Sequence, residues 1–285
     1  MIELKAIIER IDYLPPFPVT VSRALQMLDD PKVTPENIAE AIKFDQAIAI
    51  NVLRLCNSSY FGLSRSITDI QEALIYIGLS RFREILVLSG TKQYFENKIS
   101  GYEVNRGELW GYSLSSAIIA NELCALLNIE SCQEIFLAAL LHDLGKLILS
   151  EYITESLSEI HSKVENEGLT FIEAEKEILG YDHAELGALI LEQWGFSKPV
   201  IDAVRKHHEA SSENDTVIDD IVRISDTLAL IMGMGTSVDG LSYHGFDDVC
   251  KKYRLTQDML DRLIGDSLEK ILQVGKEYGV TREET

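Results

Sequence analysis

Apolar residues recur at spacings of three and four along nearly the whole chain, and sustained apolar–polar alternation is absent. This periodicity is typical of amphipathic helices and predicts an all-α protein of about a dozen helices. Thr34 followed by Pro35 predicts an N-cap with proline at the first helical position. Capping-box spacing occurs at Thr68, Ser131, Thr170 and, more loosely, Asp182. Gly180 and Gly195 stand where helices commonly end.

A polar, glycine-containing segment at residues 97–107 interrupts this pattern. It follows a long apolar helix that is predicted to end near Phe95, and all six histidines lie after it. We therefore predict two helical subdomains, residues 1–98 and residues 105–285, with any histidine chemistry in the second.

Composition narrows the functional classes. The chain has 285 residues and a net charge of −20, and it shows no basic cluster, which argues against direct nucleic-acid binding and against anionic membranes. The longest apolar run, residues 135–141, is far shorter than the roughly 20 residues of a membrane span. The N-terminus lacks an apolar signal core, so we expect a cytoplasmic protein. The four cysteines form no C-x-x-C pair and are expected to be reduced thiols.

The second predicted subdomain contains side chains that bind metals. In chain order these are His142 and Asp143, His183, His207 and His208, and Asp226. Imidazole and carboxylate groups together suit divalent transition metals. Lys146 follows His142 by one helical turn and is placed to hold a phosphate oxygen. Each element alone also has a structural interpretation: a histidine pair can cap helix carbonyls, and Asp226 can pair with Arg223.

The order of these residues resembles the HD domain of metal-dependent phosphohydrolases, and most closely its HD-GYP branch. The first part of the chain has further motifs at residues 14–18 (LPPFP), 44–46 (FDQ), 53–62 (LRLCNSSYFG) and 73–78 (ALIYIG). With them, the whole chain resembles the HDOD family, a related group of regulatory proteins. This resemblance covers about residues 5–235 and implies that the second subdomain is an HD-like helical bundle. Within these motifs we expect Phe44, Leu53, Leu55 and Phe61 to be core residues.

The resemblance implies two metal positions, and this sequence departs from the pattern at one of them. Tyr112 stands where the first histidine ligand belongs, and a phenol binds divalent ions poorly near pH 7 because its pKa is near 10. That position would otherwise use His142 and Asp226, and Glu108 matches a carboxylate that some HD-GYP proteins use. The other position keeps its full implied set, which is Asp143 (shared by both positions), His183, His207 and His208. We expect this set to hold one divalent ion, Fe, Mn, Ni or Zn rather than Mg or Ca.

Three functional hypotheses remain open from the sequence. The first is a bacterial signal-transduction protein that acts through a signalling protein or a nucleotide or phosphate ligand. The second is an active phosphohydrolase on a nucleotide or phosphoester, with Asp143 and Lys146 as its catalytic residues. The third is a metal-free helical scaffold in which hydrogen bonds satisfy the polar cluster. The Gly-Tyr-Pro motif of the HD-GYP branch is missing after residue 209, which weakens the case for cyclic di-GMP hydrolysis.

Overall fold

A computed structural model describes residues 9, 16–58, 60–63, 65–95, 100–102, 104–105, 107–129, 132–235 and 246–278. Within these ranges the protein is built from α-helices and has no β-strand, which confirms the all-α prediction. The first five described helices are α1 (Val19–Leu28), α2 (Pro35–Lys43), α3 (Gln46–Cys56), α4 (Ile70–Ile77) and α5 (Leu79–Phe95). After a short 3-10 helix at Ser100–Tyr102 come α6 (Glu108–Leu127), α7 (Gln133–Leu141), α8 (Lys146–Glu167) and α9 (Phe171–Leu179). The last are α10 (His183–Gln193), α11 (Lys198–Lys206), α12 (Val217–Ile231), α13 (Phe246–Lys252) and α14 (Gln257–Tyr278).

The helices form two compact units. The larger unit contains residues 95–271, and the smaller unit contains residues 16–94 together with residues 272–278 of α14. All the candidate metal ligands belong to the larger unit. The subdomain limits inferred from the sequence, 1–98 and 105–285, stay a prediction.

Most of the helix boundary signals act as the sequence indicated. Thr34 caps α2 and is followed by Pro35, and both Thr170 and Asp182 form capping boxes at the starts of α9 and α10. The prediction at Thr68 was wrong by one residue, because the carboxylate of Asp69 accepts the backbone N–H of Glu72 at 3.1 Å and caps α4 instead. Ser131 lies outside the described residues.

The core of the larger unit surrounds α6 and α7. Residues 109–120 of α6 are all buried, as are Leu123 and Cys124, and α7 is buried from Ile135 to Leu141. Helices α11 and α12 pack against this pair, and α8 packs against the 3-10 helix, α9 and α10. None of the described helices has the length and apolar character that crossing a membrane requires.

The smaller unit buries a core of its own but leaves one predicted core residue outside. Leu55 and Phe61 are buried, as expected, and Leu53 is half-buried. The prediction for Phe44 was wrong, because its side chain is 80% exposed. Phe44 ends α2, and the chain turns there into α3, so the ring points away from the surfaces that these helices bury against their neighbours.

Candidate metal centre

Five of the six ligands that come together lie at helix ends, and the sixth lies inside a helix. These residues are His142 and Asp143 after α7, His183 at the start of α10, His207 and His208 after α11, and Asp226 within α12. Four of them form the four-ligand group, whose ligand atoms all lie within 4.8 Å of one another: Asp143, His183, His207 and His208. The three-ligand group meets the same limit and consists of His142, His207 and Asp226. His207 therefore belongs to both groups, whereas the sequence assigned it to one position only.

A close backbone approach at Gly145 allows two of these elements to meet. A Cβ atom on Gly145 would lie 1.8 Å from the carbonyl oxygen of His183 and 2.6 Å from the backbone nitrogen of Gly187. Only a residue without a side chain fits this contact. The turn after α7 consequently packs directly on the first turn of α10, which places Asp143 beside His183.

Backbone carbonyls fix the orientation of two histidine rings. Nδ1 of His142 lies 2.7 Å from the carbonyl oxygen of Ala139, and Nδ1 of His207 lies 2.6 Å from that of Val204. A carbonyl oxygen can only accept, so we assign a hydrogen to Nδ1 of each ring. Nε2 of each ring is then directed at the centre of the cluster, as in metal-binding histidines that are held by outer hydrogen bonds.

A buried carboxylate that the sequence reasoning missed performs the same task for His183. Glu175 is fully buried and accepts from both the backbone N–H and Nδ1 of His183, each at 3.1 Å, and the Tyr102 hydroxyl donates to it. Nε2 of His183 is thereby directed at Asp143 Oδ1, 3.3 Å away, and at His208 Nε2, 2.9 Å away. Burial by itself lowers the pKa of His183, but Glu175 and Asp143 outweigh it and raise the pKa to about 10. The cluster therefore favours a positive charge at this point.

The pKa values of His142 and His207 are shifted in opposite directions. Burial by itself lowers the pKa of His142, but the carboxylates of Asp143 and Asp226 outweigh burial and hold it well above its usual range. Burial and the neighbouring His142 lower the pKa of His207 to about 3. His207 is thus kept in the neutral form, which is the form that binds metals.

The donor atoms fit a metal ion. Among the residues that the structure describes, Nε2 of His207 and Oδ2 of Asp226 are buried and accept no hydrogen bond. Buried polar atoms of this kind are costly unless a partner satisfies them. Acceptor atoms that converge within a few ångströms repel one another unless a cation lies between them. Three imidazoles and a carboxylate in the four-ligand group are donors that suit Fe, Mn, Ni or Zn.

Tyr112 occupies the edge of the three-ligand group. Its side chain is buried, its hydroxyl donates to Asp226 Oδ1 at 2.5 Å, and its ring lies edge-on to His142 with centroids 5.7 Å apart. The hydroxyl therefore takes up one oxygen of Asp226 and adds no imidazole nitrogen. The three-ligand group is a poorer cation site than the four-ligand group for this reason.

The two other predicted residues differ in their positions. Glu108 lies outside both groups, and its carboxylate accepts from the backbone N–H of Asn105 at 2.9 Å and from the Asn105 side chain at 3.1 Å. Lys146 is buried beside the cluster, with Nζ 2.8 Å from Asp143 Oδ2 and 5.3 Å from the centre of the Tyr102 ring. Lys146 thus orients the carboxylate that both metal positions would share.

Glu175→Gln tests the supporting role of this carboxylate. An amide can present its NH₂ group to Nδ1 and release the ring from its tautomer, so we expect metal affinity to fall about 10- to 100-fold with the fold retained. The measurement is competitive titration against a chromogenic chelator. Glu177→Gln is the matched control, because Glu177 lies on the same helix but is exposed and pairs with Lys163. Equal affinities for the two variants would contradict the role of Glu175.

Comparisons with known proteins agree with this architecture. The HDOD domain profile matches residues 14–210. A crystal structure of an HDOD domain protein of unknown function from Geobacter sulfurreducens is 26% identical, with a TM-score of 0.74 over 98% of this chain and 96% of that one. A candidate phosphohydrolase from Shewanella amazonensis has the same fold, with a TM-score of 0.72 at 22% identity over 95% of this chain and 97% of that one.

One uncharacterised protein from Treponema pallidum is 26% identical over 213 residues. The match covers 71% of this chain but only 39% of that relative, so the chain spans about two fifths of the relative's length.

Proposed function

The chain belongs to the HDOD domain family, and we propose that it is a signal-transduction protein that binds one divalent transition-metal ion in the four-ligand group. Residues that follow α7 and α11 and the first residue of α10 would hold this ion, and the protein acts through ligand or protein contacts. The partner is a signalling protein or a nucleotide or phosphate ligand.

The observation that carries this proposal is the hydrogen bond from Tyr112 to Asp226. It leaves the three-ligand group with a phenol where the HD pattern has an imidazole, while the four-ligand group keeps every donor. A phosphohydrolase that needs two adjacent ions would therefore find only one metal position with a full set of donors in this chain. Retention of one position and loss of the other favours a structural or sensing role.

The chain's own residues would divide the work around a bound ion. His183, His207 and His208 would supply nitrogen ligands and Asp143 an oxygen ligand, while Lys146 orients the Asp143 carboxylate. When bound, the ion supplies Lewis acidity and positive charge to the cluster. The ligands lie at the ends of three separate helices, α7, α10 and α11. Binding one ion through all of them would therefore also stabilise the packing of those helices.

A phosphohydrolase is the second candidate, and Lys146 favours it. Its buried ammonium group lies 2.8 Å from Asp143 Oδ2, next to the four-ligand group, and lysine is a common phosphate-binding side chain. In this alternative the substrate is a nucleotide or phosphoester. Asp143 and Lys146 are then the catalytic residues, and wild-type protein hydrolyses a generic phosphodiester without any substitution at Tyr112.

Elemental analysis of protein purified without an affinity tag tests the metal site. We expect about one equivalent of Fe, Mn, Ni or Zn per chain, because only one group has a full donor set. His208→Ala should lower this content several-fold. The matched control is His161→Ala, since His161 is exposed and lies outside both ligand groups. Near-zero metal that also fails to bind on anaerobic titration would refute the proposal.

A further inference from the structure

The smaller unit presents apolar side chains to solvent, although it buries a core of its own. Its exposed large apolar residues within the described part of the chain are Val19, Phe44, Ile50, Ile75, Tyr76, Leu79 and Leu272. Three of these fall within five consecutive positions: Ile75 is 64% exposed, Tyr76 57% and Leu79 52%. Clustered exposure of this kind marks interaction surfaces, whereas single exposed apolar residues are ordinary.

These three residues lie where α4 ends and α5 begins. Gly78 joins the two helices with a φ of +81° and a ψ of 161°, a conformation that side chains other than hydrogen disfavour. Helix α4 buries Ala73 and Leu74 on its inner face, so the exposure of the next two residues is not a failure of packing. We call this surface, formed by Ile75, Tyr76 and Leu79 with Arg65 and Arg81, the α4–α5 corner.

Tyr76 is held in place on this surface. The guanidinium of Arg65 lies over its ring at 4.4 Å, and the same guanidinium pairs with Glu72 one turn earlier on α4. Such cation–π contacts restrict the ring before any partner binds. Ordered tyrosine and arginine side chains are also the residues that most often dominate the binding energy of protein interfaces.

The charge of the corner is positive. Arg81 is exposed in the first turn of α5, where no acidic residue offsets the positive end of the helix dipole, and it forms no ion pair with the described residues. Residues 16–95 contain eight basic and eight acidic side chains, whereas the whole chain has a net charge of −20. Because Glu72 pairs with Arg65, the corner has one unpaired positive charge, on Arg81, in a part of the chain whose formal charges balance.

We propose that the α4–α5 corner binds a partner protein through a helical segment whose apolar face is bordered by carboxylates. Apolar side chains of the partner would cover Ile75, Tyr76 and Leu79, and a carboxylate would pair with Arg81. A second copy is the less suitable occupant, because an isologous contact would bring the unpaired Arg81 groups of both copies together. This inference rests on the proposed signalling function and names the chemistry of its protein partner.

The probe for this surface is a fluorescent peptide of about 20 residues with leucines at helical spacings of three and four and glutamates elsewhere. Binding to the full chain is measured by anisotropy, and metal content is measured on the same samples. We expect saturable binding that weakens about tenfold or more in Ile75→Ser/Leu79→Ser and in Arg81→Glu. The wild-type chain alone should remain monomeric in sedimentation at the same concentrations.

Two control variants distinguish binding at this surface from nonspecific apolar adsorption and from nonspecific electrostatic attraction of the peptide. Ile231→Ser removes a side chain that is 62% exposed on the larger unit, and Arg23→Glu makes the same charge change as Arg81→Glu at another exposed position of the smaller unit. Both should bind the peptide as the wild type does. Absence of binding, or equal weakening in variants and controls, overturns the proposal, and so does a dimer that Ile75→Ser/Leu79→Ser dissociates. If one of these results is found together with a normal metal content, only the proposal for the α4–α5 corner fails. If the metal content is low but the peptide binds normally, only the metal proposal fails.

Discussion

Tyr112→His is expected to raise the metal content from about one ion per chain to about two. The hydroxyl of Tyr112 now donates to Asp226 Oδ1 at 2.5 Å, beside the ring of His142. An imidazole at this position removes that hydrogen bond and supplies a nitrogen donor to the three-ligand group. The three-ligand group would then offer the imidazoles of His142, His207 and the new histidine, together with the carboxylate of Asp226. Asp143 would lie between the two metal positions.

The same substitution distinguishes the two candidate functions. If the native protein is a signalling module, the wild type is inactive on a generic phosphodiester with added Mn or Fe, and Tyr112→His gains measurable hydrolysis, because two adjacent ions can polarise both the attacking and the leaving oxygen. Tyr112→Phe is the matched control, since it removes the hydroxyl without adding a ligand. If wild type is already active and His208→Ala abolishes that activity, the enzyme hypothesis is correct. A Tyr112→His protein with an unchanged metal content would contradict our account of the three-ligand group.

The candidate metal ligands were predictable from the sequence because their chemistry is local and their residue types are scarce. Histidines at helix ends and a carboxylate inside an apolar helix are conspicuous one by one. Six of the seven predicted ligands meet in the two groups, and Glu108 lies outside them. The shared role of His207 was not predictable, because it depends on the distance between the ends of α7 and α11 and the middle of α12. The residue pattern of a single helix cannot predict a distance between three different helices.

Supporting residues were harder to predict. Glu175 lies four residues from both Phe171 and Leu179 on the buried face of α9, so a carboxylate on an apolar stripe was the available signal. Its partner His183 is on the next helix, and only the fold shows that the two meet. Phe44 shows the opposite error: an aromatic residue in an apolar motif suggested the core, but its position at a helix end leaves it exposed.

Gly145→Ala is expected to destabilise the larger unit by about 3 kcal/mol or more and to abolish metal binding. The new methyl group would lie 1.8 Å from the carbonyl oxygen of His183, so the backbone of α10 must move away from the turn that carries His142 and Asp143. Any such movement separates Asp143 from His183, which are 3.3 Å apart. The measurements are thermal unfolding, in which we expect a loss on the order of 10 °C, and metal content.

Gly265→Ala is the matched control for this effect. Gly265 lies within α14, is exposed, and has nothing within 4 Å of an added Cβ. Alanine restricts the unfolded chain and favours the helix, so this variant should be about 0.4 to 1 kcal/mol more stable than the wild type and keep its metal. The two substitutions are chemically identical, but the added methyl group meets backbone atoms only at Gly145. If Gly145→Ala unfolds at the wild-type temperature with its metal retained, the close packing of α10 on the His142–Asp143 turn does not assemble the site.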